Sequence, residues 1–244
     1  EEESPEQVRA NIVLSGETMR FPNGTTVNCG RLETPNLGEL RQRLVDGDSM
    51  PRGKLEVREV VADVQDLHAD LANTGALFQV ASQFNLLEMV APSVTPEFGV
   101  DLYENDGTQG PACAIACGAG TIFRNYFADV NGQVGQTEQK QINCLHDLGE
   151  ELGNKSERLW KMTNGYALPS QSGLDEVKRY LQSCDDERLD DLRALLRIGL
   201  QWHTQVTLNG AEHQVSQAYC SAVPVTYSRL PHEDWEPLAQ LVLD

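Results

Sequence analysis

Two regions of this chain carry side chains that can hydrogen-bond, move protons or let a ligand come close. Around residues 77–127, a short apolar run at 76–81 gives way at once to Ser82, Gln83, Asn85 and Glu88, the pattern of a buried strand that ends in a site. A loop follows with Tyr103, Glu104, Asn105, Asp106, Thr108 and Gln109, closed by Gly110-Pro111 and running into small residues around Gly118 and Gly120. Small residues let a ligand or another backbone approach. The second region is late in the chain. Residues 199–205 read as a strand whose accessible polar positions are Gln201, His203 and Gln205, and Ser221, Ala222 and Val223 stand where a last strand ends. His203 could act as a base near neutral pH, or sit at a sheet edge as a satisfied histidine.

Those loops need elements to hold them. Residues 17–28 read as two strands around the turn Pro22-Asn23-Gly24. Thr34-Pro35 reads as the cap and first turn of a helix with Leu37, Leu40 and Leu44 on one face. The sequence KLEVREVV, from Lys54, is strand-like, and a helix from Asp63 puts Val64, Leu67 and Leu71 on one side before Asn73-Thr74-Gly75 ends it. Strand, helix, strand predicts a parallel sheet covered by helices. Further on, 129–136 reads as a turn and 137–152 as a helix with Ile142, Leu145, Leu148 and Leu152 inward. Residues 158–168 read as a strand, whole or broken at Asn164-Gly165. Two helices follow, around 174–181 and 189–196, then β-rich segments 198–208 and 214–225 joined by Asn209-Gly210. An amphipathic helix over 231–243 stops abruptly at Asp244, as if the chain were cut there or the helix ran on. Alternating helices and strands without an internal repeat predict an α/β or layered α/β/α fold, in which ligands bind where loops leave the carboxyl ends of central strands.

Composition removes several function classes. A formal net charge of −18 disfavours nucleic acid and anionic membrane as partners, because both demand clustered Lys and Arg. A small phosphate ligand remains open, since backbone N–H groups at glycine loops can hold it. The six cysteines are far apart apart from Cys113 and Cys117, whose Ala, Ile and Gly neighbours point to small buried thiols. No ligand cluster has metal spacing, so the sequence names no metal ligands and leaves metal assistance open. No apolar run is long enough to span a bilayer and the EEESPEQ start is unlike a signal peptide, so a soluble chain in a reducing, cytoplasmic compartment is expected, with a loose acidic start. Asn23-Gly24-Thr25 and Asn154-Lys155-Ser156 match the glycosylation triplet, which matters only in a secreted chain.

One set of motifs goes further. FQVASQFNLLEM, a Y-x-x-D-x-T-Q-G-P loop, A-C-G-A-G-T, R-N-Y-F and a late A-Y-C-S-A-V-P-V-x-Y-S together span residues 77–228. In these the chain resembles a divergent macrodomain-like family of ADP-ribosyl hydrolases, that of the Legionella effector MavL and its eukaryotic relatives. The usual macrodomain signatures, N-A-A-N and a triple-glycine loop, are missing. The resemblance implies a three-layer α/β/α domain with a mixed central sheet, one domain over 1–244 in which 1–53 is an extension carrying a hairpin and helix and 54–244 is the core. It also implies hydrolysis of an ADP-ribose N-glycosidic bond on a modified protein, with arginine as the candidate linkage and ubiquitin as the candidate carrier. ADP-ribose is then the ligand, and no cofactor is called for.

Each matched residue has a functional and a structural reading. Asn85 would orient the distal ribose, or cap a helix from Leu86. Glu88 would accept from ribose hydroxyls or activate water, or be a solvated helix carboxylate. Asp106, with Thr108 and Gln109, would hold the ribose or do acid–base work, or make a turn before Gly107. Ser82 and Gln83 belong to the same pocket rim. Gly110, Gly118 and Gly120 would bring amides to the pyrophosphate, or pack closely against helices. Ser221, Ala222 and Val223 would form a second phosphate loop, or simply end a buried strand. Arg124 would pair with phosphate or lock its own loop, and Phe84, Phe123 or Tyr219 would stack on adenine or fill the core. Cleaving this bond needs carboxylates to counter a cation-like ribose and take a proton, so Glu88 and Asp106 are the expected catalytic pair. Hydrolytic relatives would be expected to carry an acid in or near strand 199–205. This chain has none there. That keeps two alternatives in play: a reader that binds ADP-ribose without turnover, and an unrelated α/β interaction domain.

Overall fold

The computed structural model describes residues 4–46, 54, 56–78, 87, 94–105, 118–137, 139–163 and 166–219. The chain is mixed α/β, built from short helices and small antiparallel sheets. The first three acids lie outside the described residues; after them Pro5–Asn11 is a helix (α1) closed by a capping box, in which the Ser4 hydroxyl accepts the Gln7 N–H and Gln7 accepts the Ser4 N–H. Strands β1 (Val13–Ser15), β2 (Thr18–Arg20) and β3 (Thr26–Asn28) form an antiparallel meander. The predicted turn lies between the second and third, with Gly24 at φ +88°. From this meander and α1, Val8, Ile12, Met19, Phe21, Val27 and Cys29 bury themselves with Val100, Tyr103, Ala119 and Ile122. Residues 8–29 therefore share a core with residues 100–103 and 119–122.

Strand β4 (Arg31–Glu33) leaves the meander and pairs with β9 (Gly199–Leu208), itself hairpinned to β10 (Ala211–Tyr219) through Asn209-Gly210, both at positive φ as that turn requires. Helix α2 (Leu37–Asp46) starts later than Thr34-Pro35 suggested. Asn36 is the cap, its Oδ1 accepting the Glu39 N–H at 2.7 Å while Glu39 accepts the Asn36 N–H at 3.1 Å. The Thr34 and Pro35 carbonyls accept from Arg197 and Ile198 instead. Asn36→Ala should cost about 1 kcal/mol, read as a lower urea midpoint at unchanged slope.

The parallel sheet expected from KLEVREVV does not form among the described residues, where every strand pair is antiparallel. Residues 56–61 have no strand partner, and Val57, Val60 and Val61 are exposed, so β-propensity there meets no pleated surface to bury against. Helix α3 (Val64–Ala69), capped by Asp63, puts Val64 on Val206, Leu208 and Val215 of the long hairpin. The apolar run is described only as far as Phe78, and no strand begins in that part. Two short helices are described in this half: α4 (Asp101–Glu104) and α5 (Ala119–Ile122), the latter running into a π-helical turn, Phe123–Phe127.

The 129–136 turn is a tiny hairpin, β5 (Asp129–Val130) with β6 (Gln133–Val134). The helix expected over 137–152 shrinks to α6 (His146–Leu152). Side chains hold the residues before it in other conformations: Gln136 Oε1 accepts the Ile142 N–H and Asn143 Oδ1 accepts the Leu145 N–H, bonds that compete with a helix. Strands β7 (Trp160–Thr163) and β8 (Tyr166–Pro169) show the 158–168 region to be two antiparallel strands. Helices α7 (Gln171–Ser183) and α8 (Asp186–Ala194) fall where leucine spacing put them, and Leu145, Leu159, Trp160 and Ala167 form their local core with Val177 and Leu196. Among the described residues no helix is long and apolar enough to cross a membrane. The predicted helix over 231–243 lies outside the described residues.

Candidate functional site

The interior end of β9 is organised by a bulge. Gln201 pairs with Gln217 and Thr204 with Val215, so Trp202 and His203 together face Ser216 alone. His203 sits at φ +55°, and its N–H donates to the Ser216 hydroxyl at 3.1 Å. The extra residue slips the alternation of the strand by one. Gly199 and Gln201 point inward before it, and Thr204, Val206 and Leu208 after it. Strict alternation had made Gln201, His203 and Gln205 one accessible row, and the bulge breaks that row apart. Gln201 is buried, His203 is exposed, and Gln205 is half-buried with its Oε1 accepting the Asn28 N–H at 3.2 Å.

The slip brings Gln201 and Thr204 to the same spot. Both donate to the Cys29 carbonyl, at 2.8 and 3.3 Å. Beside them Arg124 is fully buried, one guanidinium nitrogen donating to Thr121 Oγ1 at 2.8 Å and another reaching Gln201 Oε1 at 3.5 Å. A buried guanidinium survives only with such partners. A Cβ on Gly120 would stand 3.0 Å from Thr204 Oγ1 and 3.2 Å from both Arg124 and Gln201, so the groups that close on Gly120 are protein groups. The π turn of R-N-Y-F opens carbonyls that Gln136 takes up: its side chain donates to the Arg124 carbonyl at 3.0 Å and its N–H to that of Asn125 at 2.7 Å. Phe123 and Tyr126 lie against the main core.

At the next corner stands Glu104, only 7% exposed. Its Oε1 accepts the Thr207 N–H at 3.2 Å, and a Cβ on Gly118 would lie 3.2 Å from its Cγ and Oε1. Burial pushes its carboxyl up to about 7; hydrogen bonds from Thr207 pull the other way and the Asp101 charge adds to the rise. Cys29, by contrast, is pushed up to about 12 by burial, which keeps it a thiol.

Of the expected site residues, Gly118 and Gly120 lie within this cluster and His203 and Gln205 lie on β9 beside it. Ser82, Gln83, Asn85, Glu88, Asp106, Thr108, Gln109, Gly110, Ser221, Ala222 and Val223 lie outside the described residues, as do Phe84 and the side chain of Tyr219. Sequence reasoning named Glu104 as a loop residue without giving it a role, and gave no role to Thr204. The signal for Glu104 was its place directly after the buried Tyr103; Thr204 had none, because a bulge leaves no mark in alternation.

Among the described residues no group of three His, Cys, Asp or Glu side chains could hold a metal. Both glycosylation triplets are used structurally: Asn23 Nδ2 donates to the Phe98 carbonyl at 2.7 Å and Asn154 Nδ2 to that of Trp160 at 2.9 Å. Comparison with family models, curated proteins and solved structures gives no match to this chain.

Proposed function

We propose that this chain binds ADP-ribose and hydrolyses its bond to a modified protein, with an arginine linkage and ubiquitin as the first substrate to try. The motif resemblance over residues 77–228 supports the ligand. The observation that carries the reading is the meeting of Glu104 and Gly118: residues on either side of the 106–117 motif segment touch at a buried carboxyl, two residues before Gly120, which itself closes on Arg124, Gln201 and Thr204. Glu88 and Asp106 retain the role of carboxylates that counter the developing ribose cation.

A second reading, binding without turnover, is favoured by one observation. The inward positions of β9 nearest the cluster are Gln201 and Thr204, neither of which can take a proton as a carboxylate does. Calorimetric titration with ADP-ribose, and with AMP as control, tests the pocket. ADP-ribose should bind at least about tenfold more tightly than AMP, a difference of about 1.4 kcal/mol from distal-ribose contacts. No heat with either ligand would leave an α/β interaction domain. Release of ADP-ribose from arginine-modified ubiquitin then separates hydrolase from reader.

A further inference from the structure

We propose that residues 63–78 form an acid-sensitive latch, docked on the β9–β10 hairpin while His68 is neutral and released when His68 takes a proton. The inference stands apart from the function proposed above. Val64 of α3 packs on Val206, Leu208 and Val215 of the hairpin. His68 follows one turn later on the same helix face, so the face that docks α3 also carries this imidazole. Across the contact, His213 pairs directly with Val206, and cross-strand partners project to the same side of a sheet. Two histidines therefore meet at one apolar seam. His68 is half-buried there, and its ring stands edge-on to that of Phe78 with centroids 4.7 Å apart. Phe78 opens the FQVASQFNLLEM motif, so this ring contact ties the end of the segment back to its helix.

The charges around His68 favour release in acid. To this side of the hairpin β9 brings Thr204, Val206 and Leu208, none of them ionisable, and β10 brings His213 with Val215. Glu212 is exposed and pairs with Thr207 on the opposite side. Within the segment Asp63, Asp66 and Asp70 are exposed, and the first and last already accept the backbone N–H groups of Gln65 and Ala72. The turn Leu71–Asn73 and Phe78 add no ionisable side chain. Burial, and after it the charge of His213, hold His68 below its ordinary 6.5. A released His68 thus takes a proton more readily than a docked one, so docking is favoured in full above 6.5 and is lost as pH falls below it. The segment has little else to hold it. Val64 is its one buried side chain, and Leu71 and Leu77 are exposed.

The test is hydrogen exchange of the full chain from mildly alkaline to mildly acid pH, scored as protection factors so that the intrinsic pH dependence of exchange cancels. The amides of Leu67, Asp70 and Asn73 donate within the segment. They should lose protection as pH falls below 6.5, by up to about tenfold per pH unit for one proton taken up, while helix α7 keeps its own. His68→Phe keeps a ring and cannot ionise, so it should hold the segment closed in acid. His213→Gln should reduce the acid loss without removing it, because the burial of His68 remains. Native protection that does not change with pH, or an acid loss unaltered in His68→Phe, overturns the latch. So does loss of protection in α7 together with the segment, which would mean that acid opens the whole fold. Should His68→Phe fail to fold, His68→Gln decides by the same comparison.

Discussion

Gly30→Ala is expected to cost about 4 kcal/mol or more of folding stability, enough to leave little native protein at ambient temperature. Gly30 sits at φ +68° between β3 and β4, where the chain crosses β9. A Cβ there would lie 1.7 Å from the Trp202 carbonyl oxygen and 2.9 Å from its carbon, both backbone atoms with no flexible end to swing aside. Relief would require β4 to separate from β9, breaking the pairing of Arg31 with Trp202, or would flatten the bulge that places Gln201 and Thr204. Gly132→Ala is the control. It has φ +80° but nothing within 4 Å of the added carbon, so it should show only the conformational penalty of about 1 kcal/mol. Urea titration of the two variants isolates the clash as their difference. Equal losses would mean that the crossing is far looser than its geometry.

Glu104 should make the fold lose stability as pH rises. In the unfolded chain this carboxyl ionises around its ordinary 4.5, whereas in the fold it keeps its proton up to about 7. Between those values folding takes up a proton, so the contribution is fully present below 4.5 and is lost as pH rises through 7. The loss should be about 2 kcal/mol, less than the full shift implies because water still screens part of the carboxyl. Other acids titrate over the same range, so the measurement is a difference: urea stability of the native chain against Glu104→Gln, on both sides of neutrality. The native chain should lose about 2 kcal/mol relative to the variant on going from acid to alkaline conditions. Parallel pH profiles would mean that the carboxyl is ionised in the fold throughout.

Much of the local structure was legible because its causes are local. Pro22-Asn23-Gly24 and Asn209-Gly210 are turns on account of the backbone angles they accept, and leucine spacing located α7 and α8. The Ser4-Pro5 start and Gln7 also form a local signature, hidden by the run of acids in front of it. What failed depended on partners far along the chain. KLEVREVV has strand composition but, among the described residues, no strand beside it, and 139–145 lost its helix to the side chains of Gln136 and Asn143. The candidate site was legible as motifs and not as geometry. Nothing in Gly199–Leu208 announces that Trp202 and His203 share one partner, and nothing around Tyr103 announces that Glu104 turns inward under Gly118.

The bulge at His203 also divides β9 into two halves of opposite parity. Odd-numbered positions own the interior up to Gln201, and even-numbered ones own it from Thr204 onward. Gln201 and Thr207 would be equivalent on a regular strand, yet one is sealed in the core and the other is open to solvent. The map of tolerated substitutions therefore inverts within a single strand, and drift that is harmless at one end would be ruinous at the same parity at the other.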